Sequence, residues 1–299
     1  MAFGAVWIPV TLLASSAQTL RNAMQRDLIG ALGAVGAAQV RFLFGLPFAA
    51  MFLVCLMASN GLGAPRLTAS NLAWTAFGAL SQVIATAMML AAMRTTSFVV
   101  AVAYTKTEAA QIALFGLIVL NDPPTVALIA AIALATLGVV LMAVRSRREL
   151  AADWRSAALG LCSATFFAFA AIGFRSAVIG VASSSKILAA SVILVAGLTI
   201  QSAALGLYLA LFDRAGARAI VRAWRSSMFA GFMGALASQL WFVAFALTDA
   251  APVRTLALIE APMAQVVSLK MFREPPSLRD GLGMTLIVIA AGILVWTAR

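Results

Sequence analysis

The feature that most limits how this chain can fold is a succession of apolar runs, each about as long as a bilayer is thick. Reading the runs between charged and Pro/Gly clusters gives ten: residues 3–20, 34–57, 70–93, 97–119, 126–144, 156–174, 187–211, 227–248, 252–271 and 280–298. A helix crossing the hydrocarbon core needs about 20 predominantly apolar residues. In lipid only structures that satisfy their own backbone groups can span, and unbroken runs of this length fit helices rather than alternating strands. Hydrophobic residues are 63% of the chain and charged residues 10%, against roughly 45–50% apolar residues in soluble domains. A water-soluble fold could not hide so much apolar surface. The connections are short, so no sizeable soluble domain fits between the runs.

The exclusions are as informative. The chain has no His, and no HExxH, GxSxG, P-loop or paired-Asp motif, so the common hydrolytic and phosphoryl-transfer chemistries have no carrier. Cys55 and Cys162 both lie inside apolar runs, where free Cys behaves as a small hydrophobe. No metal, cofactor or disulfide framework is implied. The excess of 21 Lys+Arg over 10 Asp+Glu sits mostly in the gaps between runs, which points to membrane topology rather than to nucleic acid. The first run begins at Ala2 with no basic segment ahead of it, so it is expected to be a permanent span rather than a cleaved leader.

Sorting basic residues by connection gives an orientation. Fourteen follow odd-numbered runs: Arg21, Arg26, Arg94, Arg145, Arg147, Arg148, Arg155, Arg214, Arg218, Arg222, Arg225, Lys270, Arg273 and Arg279. Five lie on the opposite side (Arg66, Arg175, Lys186, Arg254 and Arg299), and Arg41 and Lys106 fall inside runs. By the positive-inside rule the odd connections are cytoplasmic, and with an even number of spans both termini are expected in the periplasm.

An internal echo divides the chain. Tyr104-Thr-Lys-Thr-Glu108, leading to Asp122-Pro-Pro-Thr125, is matched by Leu256-Ala-Leu-Ile-Glu260 and Glu274-Pro-Pro-Ser277 at an offset of 152. Leu20-Arg-Asn-Ala23 pairs with Phe174-Arg-Ser-Ala177, and the segment ending at Gln82 pairs with that ending at Gln239. The implied units are 1–149 and 150–299, five spans each. Because five is odd, the second unit enters the bilayer upside down relative to the first, the inverted repeat of alternating-access transporters.

These residues resemble the drug/metabolite transporter superfamily, in its EamA-like ten-helix branch. The likeness is carried by Arg41-Phe42 in the second run, by Leu120-Asn-Asp122-Pro-Pro and Phe272-Arg-Glu274-Pro-Pro, and by the Gly-bearing helices that follow, with Gly138 and Gly292. It covers nearly the whole chain and implies a permease of the bacterial inner membrane. Spans five and ten would then form a packing or homodimer-contact layer. Two departures stand out: the mid-span Pro that members often carry in both the fourth and ninth spans is present only as Pro262, with Ala110 as its counterpart, and members commonly have cytoplasmic termini.

Ionisable groups inside spans are expensive, roughly 2.5–3.5 kcal/mol each at the helix centre, so they are expected to face a cavity or a partner. Glu108, Glu260, Lys106 and Arg41 are such groups. Lys106 and Glu108, two apart on a continuous helix, would point to different faces, whereas Tyr104, Glu108 and Gln111 would share one and line a central cavity. The repeat places Glu108 and Glu260 close together, for proton coupling or a substrate amine; the plainer reading is a fixed ion pair with Arg41 or Lys106. Gln82 and Gln239 either line the pathway or cross-link helices, and Trp241 is a candidate cavity wall. Arg21, Arg175 and Pro262 are candidates for gating, with snorkelling side chains and a static kink as the alternatives.

The leading expectation is a secondary active transporter, not an enzyme, that exports a small metabolite, amino acid or drug and couples to protons. Its partners would be that solute and the lipid bilayer. A channel or lipid scramblase is the alternative, and a lipid-modifying enzyme ranks below both for want of His or a metal cluster.

Overall fold

A computed structural model describes residues 6–61, 63–120, 125–143, 154–273 and 277–297, all helix, turn or extended connection with no strand among them. The helices are α1 (Trp7–Leu43), α2 (Leu46–Asn60), α3 (Ala69–Ala92), α4 (Phe98–Thr105), α5 (Glu108–Leu120), α6 (Val126–Ala143), α7 (Trp154–Ile179), α8 (Lys186–Phe212), α9 (Arg214–Arg222), α10 (Trp224–Leu247), α11 (Ala250–Leu256), α12 (Glu260–Val267) and α13 (Leu278–Thr297). A 3₁₀ turn, Ala257–Ile259, joins α11 to α12, and a π turn, Ser268–Phe272, follows α12. Among the described residues seven helical stretches are long and apolar enough to cross a membrane, and Val126–Met142 is a shorter apolar one. Leu13, Val54, Leu207, Phe212 and Leu282 are among many large apolar side chains left exposed, as a lipid-facing exterior requires. The chain is an all-α, multi-pass membrane protein. The Asp122-Pro-Pro and Glu274-Pro-Pro turns, together with Arg145, Arg147, Arg148 and Arg299, lie outside the described residues.

The first apolar stretch, Trp7–Ser59, is 53 residues long, more than twice what one crossing takes. It is not straight. Gly33 has φ 68° and ψ 173°, a conformation essentially confined to glycine. Across this point the Gln25 side-chain amide donates to the Ala37 carbonyl at 2.7 Å. In a straight helix those residues would be separated by about 18 Å at 1.5 Å per residue, so the chain doubles back at Gly33. The sequence-based boundary is corrected accordingly: residues 21–32, expected to be a connection, are helix. After a second break at Phe44 and Gly45, Pro47 stands in the first turn of α2, where its missing N–H goes unused.

Two further breaks matter for the site. α4 ends at Thr105 and α5 begins at Glu108, with Lys106 N and Thr107 N donating to carbonyls three residues back instead of four. The Thr105 and Thr107 hydroxyls donate to the carbonyls of Val102 and Tyr104 at 2.7 and 2.9 Å, adding side-chain bonds to the backbone bonds of the tightened turn. The break forms with Ala110, not a proline, at the position equivalent to Pro262. In the second half α11 passes through the 3₁₀ turn into α12, and Pro262 in the first turn of α12 lacks the N–H that would bond Leu258.

Element starts recur at a fixed interval. Helix resumes at residue 34 after Gly33, and α4, α5 and α6 start at 98, 108 and 126; α8, α11, α12 and α13 start at 186, 250, 260 and 278, each 152 later. Ser97, Thr125 and Ser277 cap the helices they precede through their hydroxyls. The most extensive helix packing is α3 on α7, α1 on α10 and α6 on α13. In the last pair a Cβ on Gly138 would lie 2.5 Å from the Gly283 carbonyl oxygen, so the two backbones touch through glycine. Gly292 has open space around it. Between α8 and α10, residues expected to form a loop make the short helix α9, whose Arg214, Arg218 and Arg222 are exposed while Ile220 is buried, the pattern of a helix lying on a membrane surface.

Candidate functional site

Because α4 stops and α5 restarts, Lys106 and Glu108 do not diverge as they would on one continuous helix. Lys106 Nζ lies 2.6 Å from Glu260 Oε2 and 4.0 Å from Glu108 Oε1. The expectation that these neighbours point to different faces is therefore corrected, and the cause is the break at residues 106 and 107. Arg254, on α11, approaches Glu108 Oε1 at 3.4 Å through Nη1. Its guanidinium also stands over the Trp241 ring, 4.5 Å from the centroid, and 5.2 Å from that of Phe245.

The circuit closes through α1. Trp241 Nε1–H donates to Gln18 Oε1 at 2.9 Å, and Gln18 Nε2 donates to both oxygens of Glu260 at 3.0 and 2.9 Å. Six side chains, Lys106, Glu108, Arg254, Trp241, Gln18 and Glu260, form a ring in which each touches the next. Lys106, Glu108, Arg254 and Glu260 are at most 4% exposed. Arg254 and Lys106 come from opposite helix breaks, and each reaches the carboxylate supplied by the other.

Gln18, Lys106, Glu108 and Arg254 also line a polar cavity, together with Gln82 and Arg21. Its volume is about 10 Å³, room for the centre of one water and for no larger solute. Gln82 Oε1 accepts from Gln201 Nε2 at 2.8 Å. Gln239, its partner in the sequence echo, instead accepts from Ser191 Oγ at 3.0 Å and acts as a helix cross-link away from this lining.

Arg21 departs most from its expected place. Read as a residue near a span end, it is 1% exposed in the cavity wall, because the helix that carries it continues to residue 32. Its Nη2 donates to Asn22 Oδ1 at 2.7 Å, while Nε and Nη1 are buried with no partner among the described residues. Arg41 stands behind it, bonded through Nη1 to Thr86 Oγ1 at 3.3 Å. A Cβ on Gly234 would lie 3.3 Å from Arg41 Cβ and 3.4 Å from Arg21 Cδ, so both arginines pack on that glycine of α10.

The remaining candidates lie elsewhere. Tyr104 packs on Gly160 of α7, and neither it nor half-buried Gln111 is in the cavity lining; the break separates Tyr104 on α4 from Glu108 and Gln111 on α5, so the expected three-residue face does not form. Arg175 sits at the end of α7 and bonds the carbonyls of Phe245 and Thr248, at the end of α10, and the Asp249 carboxylate. Pro262 is part of the second break. Sequence reasoning missed Gln18, Asn22 and Arg254. Gln18 was visible as a lone amide inside an apolar run, and Arg254 as a basic residue set between Val253 and Thr255-Leu256 rather than among polar loop residues.

No protein-family model matches the sequence, and no curated protein matches it. A solved structure, described as a crystal structure of protein, is similar over 100% of this chain and 98% of that one, with a TM-score of 0.69 and 14% identity. At that identity the likeness speaks for the fold alone.

Proposed function

We propose that this chain is a secondary active transporter that moves a small solute by alternating access around the buried ring. On this reading it has ten crossings in two inverted five-helix halves, 1–149 and 150–299, of the EamA-like kind, in a bacterial inner membrane. The observation that carries it is the crossed pairing: each half contributes one cation and one carboxylate beside a broken helix, and the two closest ion pairs, Lys106–Glu260 at 2.6 Å and Arg254–Glu108 at 3.4 Å, join one half to the other, while Lys106–Glu108 at 4.0 Å lies within the first. A ring built only to lock the helices would not need two interrupted helices or a water-sized polar cavity at its edge. The constant 152-residue interval supports two related halves, as does the reciprocal packing of α3 on α7 and of α10 on α1.

The mechanism follows from what separation of the halves demands. Pulling α11 and α12 away from α4 and α5 breaks Lys106–Glu260 and Arg254–Glu108, leaving buried charges without partners, which is strongly unfavourable. A proton on Glu108 cancels one of those stranded charges, and a solute between the halves supplies partners for the others and lets the cavity open. A carboxylate that alternates between water and a desolvated pocket changes its proton affinity as it moves, which is the chemistry of proton coupling. Glu108 Oε2, buried and without a partner among the described residues, is the atom assigned to accept the proton. α6 and α13 form the peripheral layer available for a homodimer.

Removing Arg21 and Arg254 from the connections leaves the basic residues at 13 against 4. The bias toward cytoplasmic odd connections and periplasmic termini therefore persists. The test is counterflow of labelled solute in proteoliposomes with wild type and Glu108→Gln. A carrier shows trans-stimulation, and the variant loses gradient-driven uptake while staying folded. Flux without trans-stimulation would indicate a channel, a chemically altered solute would indicate an enzyme, and normal proton-driven uptake by the variant would remove Glu108 from coupling.

A further inference from the structure

We infer that the solute handled at this site is a small oxyanion, a carboxylate or phosphate, bound by Arg21 together with Arg254; the inference rests on the transport reading above. The argument is one of charge and of unmet donors. The cluster holds four buried cations, Arg21, Arg41, Lys106 and Arg254, and two buried carboxylates, Glu108 and Glu260. Lys106 and Arg254 are already matched by the two glutamates, and Arg41 donates to a hydroxyl. Among the described residues Arg21 bonds only the neutral Asn22, though its side chain lies in the cavity wall at 1% exposure with two donor nitrogens unpartnered.

A guanidinium stays charged at any ordinary pH, and leaving it buried without an anion is costly. Its planar donors fit the paired oxygens of a carboxylate or phosphate. Arg254 Nε is a further buried donor without a partner among the described residues. A zwitterion or neutral solute adds no net charge and leaves the excess of two positive charges in place; a diamine enlarges it. A dianion removes it. Among the described residues of the cavity's charged groups, one acceptor, Glu108 Oε2, is unpartnered against three donor nitrogens, Arg21 Nε and Nη1 and Arg254 Nε, so spare capacity at the cavity is weighted toward donors.

The test uses the purified full-length chain in detergent at constant ionic strength, with succinate, inorganic phosphate, alanine and putrescine as probes in thermal unfolding. Succinate or phosphate is expected to raise the midpoint at millimolar concentration and the other two are not; the two anions compared with each other separate carboxylate from phosphate recognition. In Arg21→Gln the apparent Kd for the stabilising anion is expected to weaken by at least about tenfold, the loss of one charge-assisted hydrogen bond. The wild-type contrast between dianion and diamine holds as evidence even where the variant does not fold. Stabilisation by alanine or putrescine with none by either anion, no shift with either anion, or equal anion affinity in a folded Arg21→Gln would each overturn the assignment. Arg21-dependent binding without counterflow of the labelled anion would keep the oxyanion site and defeat transport. Counterflow of labelled putrescine would do the reverse.

Discussion

Replacing Lys106 by Met tests the ring at its most shared member. The ammonium is 3% exposed, 2.6 Å from Glu260 and 4.0 Å from Glu108, so its removal leaves Glu260 buried with only the Gln18 amide. Breaking a buried ion pair by deleting one partner costs about 3–5 kcal/mol. At roughly 2–4 °C per kcal/mol for a larger domain, that is a drop in Tm of about 6–20 °C. The double variant Lys106→Met, Glu260→Gln removes the stranded charge along with its partner, and a neutral amide still bonds Gln18. It is expected to recover more than half of the loss. Four proteins in a double-mutant cycle, followed by circular dichroism on heating in detergent, measure the coupling directly. A single variant that loses less than about 1 kcal/mol, or losses that simply add in the double variant, would refute the view that these groups hold one another.

Three other outcomes follow from the geometry. Gly33→Ala places a side chain at φ 68° and ψ 173° and should lower stability by about 1–3 kcal/mol, seen as an earlier thermal transition; an unchanged midpoint would contradict the reversal at Gly33. Asp249→Asn should change stability by less than about 1 kcal/mol, because that carboxylate is 64% exposed and solvent screens the pair. Arg175→Gln leaves the Phe245 and Thr248 carbonyls without their donor and should cost about 1–3 kcal/mol; equal effects of the two variants in the same melts would show that the ion pair dominates. A reporter that is active only in the periplasm, fused after Arg299, should give signal; activity of a cytoplasm-only reporter at that position would reverse the topology.

What sequence could read was what depends on composition along one helix. Runs of apolar residues located most of the spans, and the expense of burying charge singled out Lys106, Glu108, Glu260 and Arg41 before any contact was known. The places where reading failed are those where polarity is satisfied by a different part of the chain. Residues 21–32 carry Arg21, Gln25, Arg26 and Asp27 and look like a loop, yet Gln25 is occupied by the returning helical limb of α1 at Ala37 and Arg26 lies over the rings of Phe98 and Phe272. Arg254 was counted as a topology residue because nothing local reveals Trp241 and Glu108 waiting for it. The break at residues 106 and 107 contains neither Gly nor Pro. Its signal is the Thr-Lys-Thr triplet, whose hydroxyls supplement the shortened backbone bonds. Sequence echo predicted equivalence of Gln82 with Gln239, but tertiary surroundings decide which of the two faces the cavity.

The most direct measurement of alternating access is the sidedness of the cavity itself. With Cys55 and Cys162 replaced by Ala, a single cysteine at Gln82 would be labelled by a membrane-impermeant maleimide in right-side-out and in inside-out vesicles. Exposure from both sides is predicted, with a proton gradient or bound solute raising one as it lowers the other. Labelling from one side only under every condition would show that the ring is a fixed plug, and the transport mechanism built on it would be wrong.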